Sequence, residues 1–148
     1  MASPAPKPGL MTPGDLNRIA AAHVNAEIEK DMAARRKRED AQKKLHDDFM
    51  SREIRPDAMD RINTALRNAV GLGQSELMVL QFPSDWCTDG GRGINNDDPN
   101  WPETLDGFAK RAYSHFITHM QPLGYKLRAR ILDYPGGKPG DVGLFVSW

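Results

Sequence analysis

Apolar and polar positions divide the chain into a long charged stretch and a shorter segment with more regular patterns. Neither proline nor glycine occurs from Asp15 to Arg55. Thr12 can cap a helix, and Pro13 suits the first helical position, where a backbone N–H has no partner in any case. The sequence therefore predicts one long helix over about residues 13–52, preceded by a mobile tail of residues 1–11.

Large apolar residues lie toward the two ends of this predicted helix. They occur at Leu16, Ile19, Val24, Ile28 and Met32, and again at Leu45, Phe49 and Met50, whereas residues 33–44 contain none. Forty helical residues span about 60 Å, and a compact domain built from the remaining residues would be about half as wide. We therefore expect the helix to associate with a second copy or to dock on a partner protein.

The patterns after Pro56 predict a small α/β domain. Residues 57–71 and 101–120 have helical periodicity, with Asn100 as the expected cap of the second of these helices. Residues 76–82 are apolar on both faces, residues 125–134 alternate, and residues 141–148 form a last strand after the turn 135–140. A strand–helix–strand connection favours parallel pairing. The predicted fold is α/β (α+β): a long N-terminal helix plus an ααβαββ domain with a three-stranded mixed sheet.

The domain plan that follows has three parts. Residues 1–11 are a flexible tail, residues 12–55 are a helical arm, and residues 56–148 are the α/β domain.

The connection formed by residues 83–101 is too long to be a plain link between a strand and a helix, which usually takes about 2–6 residues. It contains three glycines, two tryptophans and the only cysteine of the chain, and this composition is typical of an ordered loop. Parallel pairing places it at the same sheet end as turn 135–140, where open α/β sheets bind ligands. The candidate ligand or partner surface consists of Asp85, Trp86, Cys87, Asp89, Arg92, Asn95, Asn96 and Lys138.

Other site chemistries are not favoured by the sequence. His115 and His119 are one helical turn apart, but the predicted helix separates them from the loop by about 20 Å or more. A nucleophile–base pair or a zinc site that joins them to Cys87 is therefore not expected. The Gly-Gly-Arg-Gly run matches no phosphate-binding motif. We expect no metal site and no cofactor.

Basic residues cluster at two places and raise the alternative of nucleic-acid binding. The first cluster lies on the long helix, and the second forms one face of the second strand, next to Phe145. The residues concerned are Arg35, Arg36, Lys37, Arg38, Lys126, Arg128 and Arg130. Both clusters are also compatible with ordinary solvated faces.

Composition sets few further limits on function. The formal net charge is zero, so the chain as a whole has no pull toward nucleic acid or anionic membranes. A single cysteine excludes an intrachain disulfide, and no apolar run is long enough to cross a bilayer. We expect a cytoplasmic protein without a secretory signal.

Three hypotheses follow. The favoured one is a non-enzymatic interaction or assembly module, in which the long helix oligomerises or docks on a partner and loop 83–101 is a second contact surface. The first alternative is a small enzyme or ligand-binding domain with its site between loop 83–101 and hairpin 135–140. The second alternative is a nucleic-acid-binding protein that uses the basic strand 126–130.

Overall fold

A computed structural model describes residues 9–148. Most of the predicted tail, residues 1–8, lies outside the described residues. The chain divides into two compact units, one ending at Leu45 and the other comprising His46–Trp148. Each unit is described by itself.

Helix α1, Pro13–Ser51, accounts for nearly all of the described part of the N-terminal unit and confirms the predicted long helix. Its start is a reciprocal cap. The Asp15 N–H donates to Thr12 Oγ1, and the Thr12 N–H donates to Asp15 Oδ2, each at 3.1 Å. The hydrogen bond from the Thr12 backbone is the main cause that lowers the pKa of the Asp15 carboxyl. Every residue from Leu16 to Leu45 is exposed.

The second unit begins with the last residues of α1 and continues through the predicted small domain. Phe49 is only 4% exposed and belongs to its core. The boundary between the two compact units therefore follows Leu45, ten residues before the boundary at residue 55 that the sequence suggested. The other elements are α2 (Ala58–Gly71), β1 (Glu76–Pro83), α3 (Arg92–Asn95), α4 (Gly107–His119), β2 (Lys126–Ile131) and β3 (Asp141–Ser147).

The three strands form one antiparallel sheet in the order β1–β3–β2, so the prediction of a mixed sheet was wrong. Phe82 of β1 and Ile131 of β2 are both paired with Val142 of β3. β3 takes the centre and is the most buried strand, with Val142, Leu144 and Val146 at most 1% exposed. β1 and β2 still run in the same direction, since both are antiparallel to β3. The loop after β1 and the turn after β2 consequently share one end of the sheet, as predicted.

Helix α4 begins at Gly107, six residues later than predicted, and its cap is Asp106 rather than Asn100. The Asp106 carboxylate accepts the Gly107 N–H at 2.8 Å, while residues 101–104 form a separate 3₁₀ turn. The extended backbone at Leu105 turns its side chain into the core, where it is 3% exposed. The extended backbone at Leu105 therefore separates the turn after Asn100 from the helix that begins at Gly107.

No helix within residues 9–148 is both long enough and apolar enough to span a membrane.

Candidate functional site

The loop after β1 is held together by one carboxylate. Asp89 accepts the backbone N–H of Gly91 at 2.9 Å and that of Gly93 at 2.8 Å, and thereby fixes the start of α3. Gly91 has φ +84°, and a Cβ there would lie 2.8 Å from the Cβ of Ser84. Only glycine allows the chain to fold back so closely. Asp89 therefore stabilises the loop through its own backbone.

The loop is also fastened to the segment that joins β2 and β3. The Ser84 N–H donates to the Gly140 carbonyl, and the Ser84 hydroxyl donates to the Pro139 carbonyl, both at 2.9 Å. Farther out, the Tyr134 hydroxyl donates to Asn95 Oδ1 at 2.7 Å. These contacts bring together the loop and the hairpin in one ordered polar surface.

Asp89 is exposed, and the other seven predicted surface residues divide into three groups. Asp85, Arg92, Asn96 and Lys138 are exposed, and so is Asn95, whose side-chain oxygen binds Tyr134. Trp86 is half-buried, because its ring packs 4.7 Å from the ring of Phe49 and 5.4 Å from that of His46. Cys87 is 5% exposed, so its assignment to a partner surface was wrong. Cys87 directly follows the 3₁₀ turn 84–86, and its side chain belongs to the core cluster.

The Cys87 thiol is unsuited to nucleophilic chemistry. Burial raises its pKa to about 11, and the nearby Asp89 charge adds to this, against a smaller opposing hydrogen bond with Thr104. A thiolate is the reactive form of cysteine. At neutral pH Cys87 is a small core residue.

His115 and His119 face each other on α4, with ring centroids 4.6 Å apart. Burial lowers the pKa of His115, and the neighbouring His119 lowers it further. In the part of the chain that the structure describes, no cluster of three or more histidine, cysteine or acidic residues could hold a metal ion.

The basic residues of β2 have different surroundings. Arg130 donates two hydrogen bonds to the Glu76 carboxylate, at 2.8 and 2.5 Å, and its guanidinium lies 4.4 Å from the centre of the Phe145 ring. Both Arg130 and Phe145 are thus engaged within the sheet. Lys126 and Arg128 instead line a groove of about 640 Å³ that also contains the aromatic rings of Trp101, Tyr113 and Tyr125. The cluster Arg35–Arg38 is exposed on α1.

A cavity that sequence reasoning missed lies between the sheet, α2 and α4. Its volume is about 230 Å³, and its walls are apolar. The main wall residues are Ile54, Ile62, Val79, Leu80, Phe108 and Phe116. Three polar side chains, those of Arg55, Arg61 and His115, also line it. Periodicity assigned Ile62, Phe108 and Phe116 to buried helix faces, but a space between elements depends on how far apart they pack, which leaves no signal in the sequence.

The chain matches no protein-family model, and no curated protein or solved structure is significantly similar to it.

Proposed function

We propose that the protein is a non-enzymatic assembly module in which α1 associates with α1 of a second copy. The observation that carries this proposal is the exposure of every large apolar residue from Leu16 to Met32, with Val24 at 58%. In proteins, most of the stability of a helix comes from packing of an apolar face. A second chain would supply that packing for these residues.

The arrangement of the apolar residues favours a second copy over an unrelated protein. Leu16 and Met32 each lie eight residues from Val24, and Ala20 and Ile28 each lie four residues from it. Residues four apart form a ridge on a helix, and two such ridges interlock at a crossing angle of about −50°. When two copies run antiparallel with Val24 at the twofold axis, Ala20 of each faces Ile28 of the other. A twofold interface requires such self-complementarity.

Cysteine crosslinking of the full-length chain tests both the association and its direction. In a Cys87→Ala background, Val24→Cys should form a disulfide-linked dimer under mild oxidation. Leu16→Cys should not, because an antiparallel pairing separates the two copies of residue 16 by about 24 Å. Mixing Ala20→Cys with Ile28→Cys should give crosslinks between the two proteins. Equal crosslinking of Val24→Cys and Leu16→Cys would show parallel pairing and overturn this arrangement.

Solution mass by light scattering tests the association itself. Val24→Lys should convert the oligomer to a monomer, whereas Asn25→Lys adds the same charge on another side of the helix and should leave the mass unchanged. A truncated chain that lacks most of α1 but keeps the second unit intact should begin at His46 rather than at Arg55, because Phe49 belongs to the core of the second unit. A full-length chain that is monomeric at all concentrations would contradict the proposal and would favour a foreign partner for α1.

The same proposal assigns loop 83–101 and hairpin 135–140 a role as a second contact surface. Asp85, Arg92, Asn96 and Lys138 are exposed on a loop that is already ordered, and an ordered surface loses little conformational entropy on binding. Crosslinking of lysines in the assembled protein, followed by mass spectrometry, tests this role. Intermolecular crosslinks through Lys138 support it, and their absence while α1 lysines crosslink would contradict it.

We take the protein to be cytoplasmic, which suits a single buried cysteine.

A second candidate function, binding of single-stranded nucleic acid, is favoured by the groove beside β2. Lys126 and Arg128 share it with the rings of Trp101, Tyr113 and Tyr125, and bases stack on such rings while cations contact phosphates. Fluorescence anisotropy with a labelled oligonucleotide of about ten nucleotides tests it. Binding should weaken in Lys126→Glu and with added salt, but not in Arg130→Gln, whose guanidinium is paired with Glu76. Equal binding by all three proteins would contradict this function.

A further inference from the structure

We propose that the cavity between the sheet, α2 and α4 binds a small amphiphile that has an apolar tail and an anionic head group. Apolar side chains form most of its wall, and its volume is about 230 Å³. An apolar cavity of about 150 Å³ is large enough to bind benzene. The space therefore accommodates a somewhat larger apolar group, such as a medium-length alkyl chain.

The walls of the cavity suit an alkyl chain. Ile54 and Ile62 come from the segment around α2, Val79 and Leu80 come from β1, and Phe108 comes from α4. The sheet register shifts between Met78 and Leu80, so Val79 lies at an irregularity of the strand. Val79 is 36% exposed although it lines the cavity, which gives the space an opening toward solvent. Burial of apolar surface would supply most of the binding free energy.

The charge at the rim suits an anionic head group. Arg55 and Arg61 line the cavity, are exposed, and share the carboxylate of Asp57. Each arginine contacts Asp57 through Nε, at 3.1 Å for Arg55 and at 3.6 Å for Arg61. A guanidinium carries donors on both terminal nitrogens as well, so each arginine retains donors for a second anion. Two arginines and one aspartate leave this rim with a net positive charge.

His115 lies on the wall at α4 and adds a polar contact that does not depend on charge. Its neutral ring can donate one hydrogen bond and accept another. Arg111, one turn earlier on α4, and His119, one turn later, are the other titratable side chains of the same helix face. A carboxylate, phosphate or sulfate head group would share the same recognition by the arginines, so the experiment compares head groups directly.

Isothermal titration calorimetry of the full-length chain with octanoate, below its micelle-forming concentration, tests the proposal. Octanoate should bind, and octanol should bind more weakly by a factor of up to about five, the contribution of an exposed charge pair. Octyl sulfate and octyl phosphate should bind as octanoate does if the arginines recognise charge alone. Saturable binding of octanoate supports the proposal, and its absence overturns it.

Two variants locate the binding. Ala112 lines the cavity, so Ala112→Leu fills part of the space and should abolish binding; circular dichroism confirms that this variant is folded. Arg61→Gln should remove most of the preference for octanoate over octanol, while Arg67→Gln, a matched change on α2 outside the cavity, should not. Undiminished binding to a folded Ala112→Leu protein would overturn the cavity as the site. If Ala112→Leu does not fold, Ile62→Phe serves as the filling variant under the same criterion. An unchanged preference in Arg61→Gln would overturn the anionic head group.

The cavity proposal can fail while the assembly proposal holds, and the reverse, because all of the cavity residues lie within His46–Trp148.

Discussion

Gly107 lies directly against the backbone of Met50. A Cβ at residue 107 would be 2.7 Å from Met50 Cα, and the glycine has φ +55°. Both facts require glycine, because a side chain would be strained by the backbone conformation and would also collide with the end of α1. This contact lets α4 begin beside Phe49 and the core of the second unit.

Gly107→Ala should therefore destabilise the protein by about 2–4 kcal/mol, from left-handed strain and overpacking together. Gly136→Ala is the matched control, since Gly136 has φ +63° but a Cβ at this position would have no atom within 4 Å. It should lose only about 1 kcal/mol, the strain alone. Urea unfolding measures both free energies, and equal losses would show that the contact with Met50 has no energetic role.

Asp89 should matter more for the stability of the loop than for any chemistry. Asp89→Ala removes two hydrogen bonds to a charged acceptor and should lower the free energy of unfolding by about 1–3 kcal/mol. Asp85→Ala, at an exposed position earlier in the same loop, should change it by less than about 0.5 kcal/mol. Similar losses in both variants, by urea unfolding, would contradict the role of Asp89.

Cys87 should be protected from thiol reagents. With a pKa of about 11 and almost no exposed surface, it should react with an aromatic disulfide reagent at least about 100-fold more slowly near pH 8 than an exposed thiol. Asp85→Cys in a Cys87→Ala background provides that exposed thiol. Both proteins should react equally fast in denaturant. Rapid reaction of native Cys87 would show that the loop opens.

His115 should make stability depend on pH in the acidic range. Its pKa lies below the ordinary value of 6.5, first because of burial and second because of His119. The folded state then binds fewer protons than the unfolded state, so the free energy of unfolding falls as the pH is lowered through 6.5. His115→Gln should flatten this part of the profile. His119→Gln should raise the pKa of His115, as measured by NMR titration, and an unchanged pKa would contradict the second cause.

Local patterns predicted the helices and strands because they depend on neighbouring residues. The cap at Thr12 and the bounds of α1 and α2 followed from residues within one turn of each helix end. The start of α4 did not, because the sequence around Asn100 resembles a helix cap while the burial of Leu105, a tertiary contact, delays the helix to Gly107.

Local sequence patterns did not predict the order of the strands in the sheet. The periodicity of β1 and β2 permitted direct parallel pairing, but β3 occupies the position between them. Inward orientation of Cys87 and the cavity at Val79 likewise depend on contacts between distant segments. The exposed positions of Arg92 and Lys138, by contrast, follow from their charge.

The central position of β3 has a consequence for the order of folding during synthesis. β1 has no strand partner within the described residues except β3, which follows it by about sixty residues. Until Asp141–Ser147 leave the ribosome, the apolar strand Glu76–Pro83 has both backbone edges open. Open apolar edges pair readily with other chains. Nascent chains that stall before Asp141 would therefore be prone to aggregate, whereas chains that include β3 can close the sheet.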